Sequence, residues 1–180
     1  MDMNVMATAM ANWETAHQPT RLHAELPNPE NYDSVEQIFS ELAQEYLGFA
    51  WRHRPFAQLR LVSLRDIWIL WESGLPVGYA LVQGNQPILT ITSLVLKMGI
   101  EPTEAVSAIT AKIRSDYVKV KINRPAEIES LRRAGYLVAH PDWEAFMVKP
   151  LDPGVTVDDA RRLFGIGTDR FLISWLDFVS

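Results

Sequence analysis

Residues 87–115 read Pro-Ile-Leu-Thr-Ile-Thr-Ser-Leu-Val-Leu-Lys-Met-Gly-Ile-Glu-Pro-Thr-Glu-Ala-Val-Ser-Ala-Ile-Thr-Ala-Lys-Ile-Arg-Ser. From Ile88 to Lys97 the run is β-branched and apolar with no breaker, which predicts a mostly buried central strand. Met98-Gly99-Ile100-Glu101 is a short turn, and Pro102 suits a first helical position, where its missing N–H is no loss. Ala105, Val106, Ile109 and Ile113 then set one apolar stripe on a helix over 102–115. A strand that feeds a helix through a tight turn aims the helix N-terminus at the sheet edge, a place suited to anions. A phosphorylated cofactor, if bound, belongs here.

Upstream, Leu59 to Trp71 is extended and densest at Ile67-Trp68-Ile69-Leu70-Trp71, and Val77 to Gln83 returns from it. The turn signals Glu72-Ser73-Gly74 and Gln83-Gly84-Asn85-Gln86 join these runs and the central strand into an antiparallel meander. Before the meander, Asp33 is the expected N-cap of a helix, with Glu36 at N3. Val35, Ile38, Phe39, Leu42, Tyr46 and Phe49 recur at helical spacing, and the helix should end near Trp51 or Arg52, ahead of Pro55. Thr20 to Leu26 predicts a short strand, and residues 1–19 read as a loose lead-in.

Downstream, Tyr117 to Ile122 alternates, with Val118, Val120 and Ile122 on one face, and a helical crossover would lay it parallel to the central strand. Pro125 opens a helix carrying Ile128 and Leu131, with Gly135 at C′. Trp143 to Lys149 is a further strand. After Pro150, Thr156 is expected to cap a helix with Asp158 and Asp159 in its first turn, and Phe171 to Val179 reads as a last strand. The organisation predicted is a lead-in (1–19), one domain (20–150) and a helix–strand extension (151–180) packed on it.

The 180 residues suit one hydrophobic core, and 48% hydrophobic with 22% charged residues is ordinary for a globular protein. A net charge of −5 speaks against a nonspecific nucleic-acid binder. There is no cysteine, so disulfides, thiolate metal sites and a Cys nucleophile are excluded. Met1 to Ala11 lacks the positive segment of a signal peptide, and no uncharged apolar run approaches membrane-spanning length, so a cytoplasmic protein with no membrane partner is expected. His17, His23, His53 and His140 show no metal-ligand spacing, and no metal is expected.

Three local matches carry a family resemblance. Trp71-Glu72-Ser73-Gly74-Leu75-Pro76-Val77-Gly78-Tyr79-Ala80 looks like a hairpin leading into a Val-Gly-Tyr/Phe strand. Asn123-Arg124-Pro125-Ala126, followed by Leu131 and Ala134-Gly135-Tyr136, looks like an Asn-x-x-Ala … Gly-Phe helix, and Trp143 to Pro150 would be the closing strand. In this order the chain resembles the GNAT superfamily of acetyl-CoA-dependent N-acetyltransferases over roughly residues 20–150. The resemblance implies an α/β (α+β) fold: a mixed sheet with an antiparallel meander, a central strand–turn–helix unit and flanking helices. It implies acetyl-CoA or a related thioester as cofactor and a small-molecule or peptide amine as acceptor.

The same resemblance nominates cofactor contacts: the backbone of Leu94, Val95 and Leu96 for the pantetheine arm, and Lys97, Gly99 and Thr103 for phosphate. Glu72 is a candidate general base acting through water, and Asn123 a candidate hydrogen-bond donor to cofactor or substrate. Two departures stand out. The phosphate loop is shortened to Lys97-Met98-Gly99-Ile100-Glu101-Pro102-Thr103-Glu104, and Glu101 and Glu104 repel a polyanion while favouring the helix dipole. Leu131 stands where many members carry a proton-donating Tyr, and Tyr136 is expected to pack rather than react. The alternative is a GNAT-fold interaction protein without a cofactor site, whose 151–180 extension covers an edge or pairs across a homodimer.

Overall fold

Ile88–Leu96 is the middle strand of a seven-stranded mixed sheet, and the helix that follows it is Pro102–Thr110. The computed structural model describes residues 4–5, 7–28, 30–45, 66–84, 86–139, 145–146, 156, 159 and 162. In chain order the elements are β1 (Asn4–Val5), β2 (Ala7–Asn12), α1 (Trp13–Ala16), β3 (His23–Glu25), α2 (Tyr32–Glu45), β4 (Ile67–Glu72) and β5 (Leu75–Gln83). There follow β6 (Ile88–Leu96), α3 (Pro102–Thr110), β7 (Tyr117–Ile122), α4 (Pro125–Arg133), β8 (Leu137–Ala139) and β9 (Ala145–Phe146).

The expected meander is present. β4 pairs with β5 and β5 with β6, both antiparallel, and α3 carries the chain over to β7, which runs parallel to β6. Ser73 (φ 51°) and Gly74 (φ 82°) make the hairpin turn, a geometry with two left-handed residues that suits the twist of the flanking strands. At the end of α4, Gly135 (φ 91°) lets Tyr136 N donate to Leu131 O and Gly135 N to Arg132 O, closing the helix as its sequence foretold. In α3 the regular helix stops at Thr110, short of the expected 115. Lys112 N bonds Ile109 O, a tightened last turn, and Ile113 still reaches the core.

One face of the sheet carries Leu70, Val77, Ala80, Leu89, Ile91, Leu94, Leu96, Val118, Val120 and Ile122 against Ala105, Val106 and Ile109 of α3 and Leu131 of α4. Ile67, Ile69, Tyr79, Leu81 and Val95 alternate onto the other face, where α2 packs on β5 and buries Ile38 and Leu42. Helix α2 starts at Tyr32, so Asp33 lies inside its first turn rather than capping it. The residue before the helix, Asn31, has its side chain engaged by Asn28 N. The part of the expected helix beyond Glu45, the extended stretch 59–65 and the expected final strand lie outside the described residues.

Two expectations are corrected. Residues 7–12 are no loose lead-in: β2 pairs antiparallel with β7 along Ala7–Asn12 and with β8 at Thr8–Met10, giving the order β3-β4-β5-β6-β7-β2-β8. The place expected for a closing strand at 143–150 is therefore filled from the N-terminal side. Of that later stretch, Ala145 and Phe146 pair instead with Asn4 and Val5. Further on, Thr156 and Asp159 cap each other reciprocally (Asp159 N to Thr156 Oγ1 and Thr156 N to Asp159 Oδ2, both 3.1 Å), which is the helix start expected there.

Candidate functional site

The site grows from a bulge. Leu81 pairs with Ser93 and Val82 with Ile91, so Thr92 is the extra residue on β6, and its Oγ1 bonds Leu81 O at 3.3 Å. A bulge bends its strand and resets the alternation. Ile91 faces the core, and beyond the bulge Leu94 and Leu96 do so in turn. Pairing of β6 with β7 also ends at this point, at Ile91 and Val120, while each strand runs on separately to Leu96 and to Ile122. The two parallel strands fork.

Backbone alternation aims into that fork. Lys97 N donates to Val77 O at 2.9 Å, and Val95 and Ser93 sit opposite Tyr79 and Leu81. These positions bond toward β5, so the peptide groups of Leu94 and Leu96 turn to the β7 side. The side chains of Leu94, Val95 and Leu96 are buried, so only their main chain is placed to serve a ligand.

At the end of β6 lies a cleft of about 240 Å³ between the turn Lys97–Pro102 and the first face of α4, with Arg124, Ala126, Glu127, Ser130 and Arg133 on its wall. Ala126, Ser130 and Arg133 line up because residues four and three apart share a helix face. Both α3 and α4 begin here with Pro at their starts, and neither has a side-chain cap: the side chains of Glu101 and Arg124, at the two N-cap positions, accept no hydrogen bond from a main-chain N–H of their own helix starts. Glu101 instead accepts a hydrogen bond from Ser130 Oγ at 2.7 Å, from one wall of the cleft to the other.

The cations of the cleft differ in state. Lys97 pairs with Glu41, and the lysine's hydrogen bond holds the Glu41 carboxyl below its usual range. Arg124 pairs with Glu127, both about 5% exposed. Arg133 has no carboxylate partner among the described residues. Asn123, at the end of β7 beside the fork, is buried and its Nδ2 has no hydrogen-bond partner among the described residues. Such an orphaned donor costs about 1–3 kcal/mol, which a ligand acceptor would relieve.

Of the residues nominated from the sequence, Lys97 and Gly99 line the cleft, and Leu94 to Leu96 lead into it. Thr103 does not. It lines a separate depression with Glu14, Thr15, Gln18, Ser107 and Tyr136. Glu72 is also apart from the cleft, held by Arg21 Nε at 2.9 Å, and the same nitrogen lies 3.2 Å from Glu104. Leu131 is fully buried in the core. Tyr136 is nearly so, and burial pushes its phenol well above the ordinary range. Sequence reading missed Thr92, whose bulge depends on a partner strand, and Arg124, Glu127 and Ser130, whose signal was Pro125: a helix start there puts its first face on the neighbouring turn.

The meander, the strand–turn–helix unit and the parallel strand after it match the expectation from the sequence, and the fork between β6 and β7 adds to it. The fold is a mixed α+β sheet with flanking helices. No protein-family model matches the chain, and no curated protein does. Among solved structures it is similar to a functionally unknown conserved protein from Staphylococcus epidermidis, at 11% identity over 77% of this chain and 59% of that one, with a TM-score of 0.54. A GCN5-related N-acetyltransferase from Sphaerobacter thermophilus aligns at 16% identity over 76% of this chain and 49% of that one, TM-score 0.46. One from Kribbella flavida aligns at 10% identity over 81% and 56%, TM-score 0.43. This chain spans 49–59% of the length of these structures. Among the described residues no group of three His, Cys, Asp or Glu side chains could hold a metal ion, and no helix is long and apolar enough to cross a membrane.

Proposed function

We propose that the protein transfers an acyl group from a pantetheine thioester, of CoA or a related carrier, to a small-molecule or peptide amine. The observation that carries this reading is the fork: β6 and β7 part beyond Ile91 and Val120, and the main chain of Leu94 faces a gap that ends at two helix N-termini without side-chain caps. An extended amide-bearing arm entering the gap can pair with β6 as a further strand would. Its phosphate would then meet the starts of α3 and α4, where N–H groups and helix dipoles favour an anion. Arg133 adds a full charge on that wall.

In the reaction the amine nitrogen attacks the thioester carbonyl carbon, a C–N bond forms, and the C–S bond breaks. The sulfur leaves with the electron pair and takes up the proton that the amine gives away. The chain contributes position and electrostatics: β6 N–H groups beside the carbonyl oxygen, and Asn123 Nδ2 as a donor beside the fork. Leu131 and Tyr136 supply no acid, the first being apolar and the second facing a different depression. Proton removal is left to water or to the departing thiolate.

The test is thermal unfolding with acetyl-CoA and with acetyl-4′-phosphopantetheine, followed by mass spectrometry of an amine panel. A ligand at 100 times its Kd stabilises the fold by about 2.7 kcal/mol. A shift with either compound supports the reading. No shift with both overturns it.

A further inference from the structure

Among the described residues the cleft carries too little positive charge for a nucleotide. Lys97 is matched by Glu41 and Arg124 by Glu127, which leaves Arg133 as the one lining cation without a carboxylate partner. Against it stands Glu101, on the facing wall and tied by Ser130 Oγ at 2.7 Å, so the carboxylate is held in the cleft rather than free to swing out. The starts of α3 and α4 add about half a charge each. The sum is about +1. CoA brings about −4, from a diphosphate and a terminal phosphomonoester that itself carries −1.5 to −2. The cleft is also small, about 240 Å³ against the roughly 300–1,000 Å³ usual for drug-sized ligands. Glu104, the other carboxylate of the α3 start, bonds Arg21 and does not line the cleft, so Glu101 alone sets the sign of that end.

We infer that the acyl donor is borne on a pantetheine arm that ends in a single phosphate, rather than on the full nucleotide of CoA. This rests on the acyl-transfer reading, and the bond changes are those given there, with the arm's thiol as leaving group. One phosphate sits between two helix starts and Arg133, and Glu101 repels whatever further phosphates follow it. Free 4′-phosphopantetheine and the same arm in phosphodiester linkage to a carrier protein share this chemistry.

The experiment is calorimetric titration of the full chain at low salt with CoA, dephospho-CoA, 4′-phosphopantetheine, and a holo-carrier protein with its apo form as control. We expect 4′-phosphopantetheine to bind at least as tightly as CoA, and dephospho-CoA tighter than CoA. Glu101→Gln should tighten CoA by roughly 5–10-fold, with less than half that gain for 4′-phosphopantetheine, because the repulsion scales with ligand charge and is screened by salt. Both sources satisfy the inference. Holo-carrier binding tighter than the free arm, with none by the apo form, assigns the protein-borne source, and equal affinity assigns the free one. Tenfold tighter binding of CoA than of 4′-phosphopantetheine overturns the inference while leaving acyl transfer standing. Binding of no pantetheine compound removes both.

Discussion

Gly78 offers the sharpest test of the geometry around the fork. It lies in β5 opposite Leu96, and a Cβ built there would meet Val95 O at 2.4 Å, Leu96 Cδ2 at 2.9 Å and Leu96 Cα at 3.1 Å. Two of these atoms belong to the backbone of β6 and cannot rotate away. Gly78→Ala must therefore push β6 from β5 along the segment that faces the gap. Overpacking of this kind costs about 1–3 kcal/mol. For a chain of this size each kcal/mol is worth roughly 2–4 °C, so the melting temperature should fall by about 2–12 °C. Scanning calorimetry with urea unfolding at fixed pH would measure both quantities, and affinity for the pantetheine thioester should fall with them. An alanine variant that melts with the parent and binds the thioester equally well would refute the close approach of the two strands. The glycine of the Val-Gly-Tyr strand would then need another reason.

Leu131→Ala should destabilise by about 2–5 kcal/mol, since it empties a fully buried site beneath α4, and urea titration would read it directly. Burial raises the Tyr136 phenol, so its contribution to stability is complete below about pH 10, the unfolded value, and is lost as the pH climbs above it. Tyr136→Phe should flatten that alkaline loss in unfolding curves taken at neutral and high pH. The Glu41 carboxyl is held low by Lys97, so its contribution is present above pH 4.5 and declines as the pH falls below that. Glu41→Gln should leave a shallower acid limb, and an unchanged limb would mean that the pair with Lys97 does not persist in solution. Glu104→Gln should leave CoA affinity unchanged, because that carboxylate is engaged by Arg21 outside the cleft, whereas an effect equal to that of Glu101→Gln would place both at the ligand.

Much of the fold was readable because its signals are local. The breaker-free run at Ile88, the Ser73-Gly74 turn, the alternation of Val118, Val120 and Ile122, and the proline starts of α3 and α4 each act over a few residues. At the cleft, Lys97 and Gly99 are lining residues because they occupy the turn itself. Thr103 lines the depression beside α1 and not the cleft because one step along a helix from Pro102 rotates a side chain by about 100°.

Strand, turn and helix identities from β4 to α4, and therefore the order of elements along the sheet there, were determined by the sequence alone through periodicity and turn chemistry. Tertiary structure alone decided which segment fills the place between β7 and β8. Ala7, Ala9 and Ala11 are too small to announce a strand, and they become one because pairing with β7 and β8 satisfies their peptide groups and buries them under the helices. It alone decided the fork as well, since the bulge at Thr92 exists only relative to β5. The charge state of the cleft was likewise out of reach in one dimension: Glu41 is far from Lys97 in sequence, and Ser130 far from Glu101, and only folding brings each pair within reach of a hydrogen bond.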